Sequence, residues 1–257
     1  MARSLISMKF DLNLHSPFLN AAGTLGFAPD PHGPLDLSRL GAFVTNPVSQ
    51  QPRTPARGPR YLPCAGGFLL HTGHPNPGLN AVIHRHARRW SRLRLPVIVH
   101  LLAQEFEEMG GMVRRLEGLP GVTGIELGLP SGVDSRAACA LAKAASGELP
   151  LVVRLPMEQA AELAPALAGV AEQAGIAAVS LAPPRGRLPV ADGELVSGRL
   201  YGPAVFPIAL ATLAATARAG VPVIGGGGVY SLQQAEAMLA AGAVAVQLDS
   251  ILWKGGL

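Results

Sequence analysis

Val221-Pro222-Val223-Ile224-Gly225-Gly226-Gly227-Gly228-Val229 is followed, one helix later, by Ala243-Val244-Ala245-Val246-Gln247-Leu248-Asp249-Ser250. Each stretch opens on small and β-branched apolar residues, as a strand buried on both faces requires. Together they read as consecutive parallel strands whose C-terminal ends expose backbone N–H groups beside the start of a helix. A (β/α)8 barrel holds a phosphate in this way, through the loops after its seventh and eighth strands.

Working backwards along the chain, short β-branched runs alternate with Ala- and Leu-rich helical stretches, the pattern of a parallel sheet covered by helices. The predicted strands are Phe18–Gly23, Phe43–Val48, Pro96–Ala103, Gly124–Pro130, Leu151–Pro156, Ala178–Pro183, Val221–Gly228 and Ala243–Ser250. Helices are predicted at Asn76–Leu93, Glu105–Glu117, Ser135–Ser146, Met157–Ala174, Pro203–Ala219 and Ser231–Ala241, with left-handed caps expected at Gly118, Gly147, Gly175, Gly220 and Gly242. Strands four, five and six begin at residues 124, 151 and 178, a spacing of 27 that is one barrel module. An open doubly wound sheet alternates in the same way, but eight strands with glycine signals on the last two favour the closed barrel. The connection Ser49–Leu95, rich in Pro, Arg and Gly, is expected over the mouth. After Ser250 the chain has no room for an eighth helix, so the flank between first and last strands is expected to be covered by a second copy or a partner subunit.

The 257 residues fit one (β/α)8 domain spanning 1–257. No apolar run approaches the ~18 residues of a membrane span. Met1–Leu14 lacks the charged start and cleavage site of a signal peptide, so a cytoplasmic location is expected. Cys64 and Cys139 suggest neither a disulfide framework nor a metal site. The net charge of +4 is modest, and its densest segment, His84–Arg94, reads as a solvated helix face rather than a nucleic-acid surface.

Several segments, taken in order, resemble the dihydroorotate dehydrogenase family, FMN-dependent (β/α)8 oxidoreductases of pyrimidine biosynthesis. Ser16-Pro17-Phe18-Leu19-Asn20-Ala21-Ala22-Gly23 is similar to the family's first strand, and Gly41-Ala42-Phe43-Val44-Thr45 to its second. Asn76-Pro77-Gly78-Leu79 is similar to its N-P-G segment, Gly202-Pro203-Ala204 with Pro207 to S-G-P-A-x-x-P, Ile224–Val229 to I-G-x-G-G-V, and Gln247-Leu248-Asp249-Ser250 to Q-I-Y-S. The resemblance implies FMN as cofactor. Ala22 and Gly23 would let the backbone approach the flavin ring, and Asn46 and His100 would stand near it. Arg154, where the family has lysine, would stabilise the reduced ring's negative charge. Backbone N–H groups of Gly202, Gly227, Gly228 and Ser250 would hold the phosphate. Asp249 is an objection to this cup, and strand alternation is expected to turn it away.

The substrate motif departs from the pattern. The family's N-x-S-C-P-N reads here Gly128-Leu129-Pro130-Ser131-Gly132-Val133; both asparagines are gone, and Ser131 falls at the position of the catalytic base. Asn46 replaces a lysine, Leu70 and Pro183 replace asparagines, and such losses make dihydroorotate a poor substrate. Ser131 and His71 are the expected proton acceptors for hydride transfer from a small-molecule C–H, although no activating partner for Ser131 is evident. Two other readings stay open. One is a non-catalytic descendant, with or without FMN, serving as subunit or sensor; the other is a flavin-free barrel enzyme acting on a phosphorylated metabolite.

Overall fold

In the computed structural model, which describes residues 12–103, 105–191 and 193–256, the first and last strands lie side by side. Residues 1–11 of the segment tested for a signal peptide lie outside the described residues. In chain order the strands are β1 (Phe18–Asn20), β2 (Phe43–Val44), β3 (Tyr61–Cys64), β4 (Gly67–Leu70), β5 (Val97–Leu102) and β6 (Val122–Gly128), then β7 (Leu151–Leu155), β8 (Ile176–Leu181), β9 (Arg185–Pro189), β10 (Leu195–Tyr201), β11 (Val223–Gly226) and β12 (Ala243–Leu248). The helices are α1 (Leu79–Trp90), α2 (Phe106–Leu116), α3 (Ser135–Ala144), α4 (Ala160–Ala168), α5 (Ala171–Ala174), α6 (Phe206–Thr216) and α7 (Leu232–Ala240).

Eight parallel strands run in the order β1-β12-β11-β8-β7-β6-β5-β2, and a bridge between Leu19 and Ala42 brings β2 back to β1. The ladder at that seam is short. Asn20 reinforces it, its side chain accepting from Val44 N–H at 2.8 Å and donating to Val44 C=O at 2.7 Å. The protein is therefore a (β/α)8 barrel, with each of the eight predicted strands present and several trimmed at their ends.

Strand alternation fills the interior in layers. Leu19, Val44, Ile98, Val152, Ala178, Ile224 and Ala245 form an apolar layer inside the barrel. Two residues further along their strands, His100, Arg154, Ser180 and Gln247 are buried above it, joined by Glu126. The larger core lies outside, between strands and helices, and includes Phe43, Trp90, Leu127, Leu163 and Leu213. Burying each such side chain contributes ~1.5–3 kcal/mol, and Trp90 also donates its indole N–H to Phe27 C=O at 2.8 Å.

Local chemistry sets the helix boundaries. Asp134 caps α3 by accepting from Ala137 N–H, and Ser231 caps α7 by accepting from Gln234 N–H. The single helix expected over Met157–Ala174 is instead a 3₁₀ turn, α4 and α5. α4 runs through Pro165, and the chain breaks at Gly169 and Val170 before α5. Gly118, Gly175, Gly220 and Gly242 take positive φ as expected, whereas Gly147 does not; a Cβ there would collide with the Glu117 carboxylate.

A second, antiparallel sheet of order β3-β4-β10-β9 was not foreseen. Its β3–β4 hairpin belongs to the long connection expected over the mouth, and its β9–β10 hairpin interrupts the path from β8 to α6. Among the described residues the flank outside β1 and β12 carries no α-helix: a 3₁₀ turn, Ser250–Lys254, follows β12, and Leu35 and Leu37 pack against the core. Among the described residues no helix is long and apolar enough to cross a membrane, and no His, Cys, Asp and Glu cluster could hold a metal. Cys64 and Cys139 are free.

Candidate active site

Glu126 is the hub of the polar layer. Its Oε2 accepts from His100 Nδ1 at 2.6 Å and lies 3.5 Å from Arg154 Nη1. Its Oε1 accepts from Ser180 Oγ at 2.8 Å and from Gln247 Nε2 at 2.6 Å. Burial opposes ionisation of Glu126, but Arg154 and the bonds from His100 and Ser180 prevail and hold it below the usual carboxylate range. Burial also lowers His100, against the pull of Glu126. The pair is therefore an ionised carboxylate and a neutral imidazole, with Nδ1–H as donor and Nε2 left free. That ring needs room, and Gly128 supplies it: a Cβ there would stand 2.6 Å from His100 Nε2.

Above this layer lies a cavity of about 470 Å³ at the C-terminal mouth, lined by Ala22, His100, Ser131 and Arg154 from the barrel and by Arg53, His74, Arg185, Arg199 and Tyr201 from the connections and the second sheet. Four arginines meet there, and no lining residue is a carboxylate. Arg199 donates to Pro183 C=O at 3.1 Å. Burial and then Arg154 lower its pKa, the mark of a cation facing other cations. His74, at φ 54°, is driven down to about 3 by burial and by Arg199, so it is neutral at pH 7.

Of the residues expected at the site, Ala22, His100, Arg154 and Ser131 line this cavity. Ser131 gains a partner that the sequence did not reveal, donating to Glu158 Oε1 at 3.3 Å. His71 does not line it; its backbone N–H is bound to Arg60 C=O, and His74 takes the place expected of it. Asn46 also turns elsewhere, accepting from Gly26 N–H at 3.1 Å and so holding the loop after β1. Gly23 has φ 95° and open space on its Cβ side. The lining residues Arg53, Arg185, Arg199 and Tyr201 were missed because they sit on segments with no barrel periodicity.

The rim of β11 and β12 differs from the phosphate cup that was expected. Asp249 is buried and turned inward: its carboxylate accepts from Ser250 N–H, from Ser250 Oγ at 3.0 Å and from Gly228 N–H at 3.4 Å. Ser250 Oγ also lies 2.6 Å from the Tyr230 hydroxyl. Gly202 is packed against the β3–β4 turn, where a Cβ would stand 2.5 Å from Gly66 C=O, and one on Gly227 would press on Ala209, Met157 and Val205 at 3.3 Å. Two of the four amides assigned to a phosphate are thus spent on a carboxylate of the chain itself.

Tested against FMN, the two ends of the site disagree. The ring end fits, with small Ala22 beside the Arg154 cation and a buried Gln247 Oε1 that lacks a donor among the described residues. The phosphate end does not fit, because the Asp249 carboxyl, whose pKa burial raises, already holds the Gly228 and Ser250 N–H donors.

Fold and site define a (β/α)8 barrel of the kind that works at its C-terminal mouth. The dihydroorotate dehydrogenase family model matches residues 4–257, and the chain belongs to that family. It is 31% identical over 272 residues to a dihydroorotate dehydrogenase B (NAD(+)) catalytic subunit of Geotalea daltonii, covering 97% of this chain and 88% of that one. It is 32% identical over 260 residues to the same-named subunit of Pelobacter propionicus, covering 93% and 84%. The structure of an Eimeria tenella dihydroorotate dehydrogenase in complex with ferulenol superposes with a TM-score of 0.76 at 16% identity, over 95% of this chain and 78% of that one, which is agreement in fold.

Proposed function

We propose that the chain is an oxidoreductase of dihydroorotate dehydrogenase type whose substrate is a small anionic molecule other than dihydroorotate. The observation that carries this is the wall of Arg53, Arg154, Arg185 and Arg199 around one cavity with no lining carboxylate. Guanidinium groups hold carboxylates and phosphates through paired hydrogen bonds, and of these four only Arg154 has an ion-pair partner among the described residues. A flavin, were one held beside Ala22 and Arg154, would supply the hydride acceptor. The chain's own residues would orient and neutralise: Arg154 would keep positive charge beside the reduced ring, and Arg53, Arg185 and Arg199 would fix the substrate anion. Ser131 would take the substrate proton, with Glu158 to take the hydroxyl proton in turn. His74 is too weak a base at neutral pH and serves as a hydrogen-bond partner.

The test uses succinate, orotate and uncharged uracil as probes. Succinate and orotate should raise the unfolding temperature, uracil should not, and Arg199→Gln should weaken the anions about tenfold or more. Equal binding of uracil and orotate, or indifference to Arg199→Gln, would overturn the reading, as would rapid bleaching of bound flavin by dihydroorotate. One observation favours a second reading, a flavin-free member of the family: the filled phosphate cup. That cup argues equally against a sugar phosphate seated there. The relatives are catalytic subunits, which supports assembly of this chain with a partner subunit.

A further inference from the structure

The floor of the cavity sets a hydrogen-bond acceptor beside a cation, and we propose that the anion held there is a hydroxy acid whose hydroxyl is read by His100 Nε2. The inference rests on the anionic ligand proposed above and narrows it to one class.

Glu126 decides which way His100 is used. Its carboxylate lies 2.6 Å from Nδ1, so the imidazole N–H is spent on that bond and the lone pair stays on Nε2. The other carboxylate oxygen accepts from Ser180 Oγ at 2.8 Å and from Gln247 Nε2 at 2.6 Å, and Arg154 stands 3.5 Å from the first, an environment that keeps Glu126 an ionised acceptor. A second proton on the ring is opposed by burial and by the nearby Arg154 and Arg199. Nε2 itself has no donor among the described residues. Gly128 keeps it uncovered: a Cβ there would stand 2.6 Å from Nε2, and His100 and Gly128 both line the cavity. Gln247 Oε1 also lacks a donor, but it is sealed off, whereas Nε2 is not.

The cation stands next to this acceptor. Arg154 and His100 meet at the same atom, Glu126 Oε2, from strands on either side of β6. A ligand that uses both therefore needs its acid group and its donor close together, as on adjoining carbons. A hydroxyl suits the pair, because one oxygen donates to Nε2 while accepting from a guanidinium. An ammonium also donates, but it brings a positive charge among four arginines. An unsubstituted acid offers Nε2 nothing. The cavity, at about 470 Å³, has room for a small acid with its waters.

Isothermal titration of the full-length protein with both enantiomers of malate, with succinate and with methoxysuccinate tests this. All carry two carboxylates, and only malate has a free hydroxyl. One enantiomer of malate should bind about tenfold tighter than succinate and than the methyl ether, which keeps the oxygen and loses the donor. His100→Phe, which keeps a ring and removes the acceptor, should bring malate down to succinate and leave succinate unchanged. Nitrogen-15 NMR of the unaltered protein should show His100 as the Nδ1–H tautomer, a readout that stands even if His100→Phe does not fold. Malate binding no tighter than succinate overturns the inference and leaves the anionic reading intact, as does an Nε2–H tautomer. A malate preference that survives His100→Phe overturns the role of His100. If none of these acids binds, the anionic cavity itself is refuted, and the inference with it.

Discussion

Glu126 shows how much one residue carries here. It is a fully buried carboxylate shared by an arginine, a histidine, a serine and a glutamine, and breaking a buried pair of this kind costs ~3–5 kcal/mol. Glu126→Gln should therefore lower stability by about 3 kcal/mol at pH 7, measured by urea unfolding. The pH dependence follows from the sign of its shift. Its folded-state pKa lies below its ordinary value of 4.5, so its contribution is complete above that value and is lost as pH falls below it. The gap between the two proteins should close on acidification; a gap that is constant down to pH 3 would contradict this role. Arg154 and His100 were legible from their places on strands five and three. Asp249 was legible too, had its parity been followed: Ala245 and Gln247 point inward, and the next residue of that series is Asp249, whose inward turn the alternation argument had assigned to the opposite face.

At the scale of elements, the barrel strands announced themselves because each is a short apolar run bounded by turn residues. The second sheet gave no such signal. β9 is Arg-Gly-Arg-Leu-Pro and β10 is Leu-Val-Ser-Gly-Arg-Leu-Tyr, with charge and glycine in alternation, and β3 contains Pro63. Buried Leu62 of β3 and Leu69 of β4, with half-buried Leu200 of β10, stand one to a strand and form no continuous apolar run. Their packing is nonetheless close. A Cβ on Gly198 of β10 would stand 2.4 Å from Leu70 C=O and from Leu69 Cδ2, so Gly198→Ala should part β10 from β4 and displace the neighbouring Arg199. Faster amide exchange confined to β3, β4, β9 and β10, with weaker orotate binding, is the expected result; unaltered exchange there would show the contact to be dispensable.

For the molecule as a whole, closure of the barrel depends on a seam with very little ladder. The register of β1 against β12 runs from Phe18 to Asn20, whereas β1 meets β2 through one bridge and the Asn20 side chain. Asn20→Ala removes the two bonds to Val44, together with those to Ala21 C=O and Thr24 Oγ1, and leaves the Val44 N–H and C=O buried without their partner, a loss of about 2–4 kcal/mol. Urea unfolding should register it as a single shifted transition; a variant as stable as the parent would place closure elsewhere. Nothing in the linear pattern singled out Asn20 for this task, because a side chain that replaces a strand ladder acts only between residues 24 apart in sequence.

The cluster of guanidinium groups at the mouth also acts before any contact is made. A recess with low-dielectric walls and one sign of charge focuses its field outward and raises the local concentration of oppositely charged visitors. Encounters with anions are hastened accordingly. That long-range pull reaches about 10 Å in 0.1 M salt and shrinks as salt is added. The protein thus gathers its ligands fastest in dilute electrolyte, and the speed of capture, more than the lifetime of the complex, is what added salt takes away.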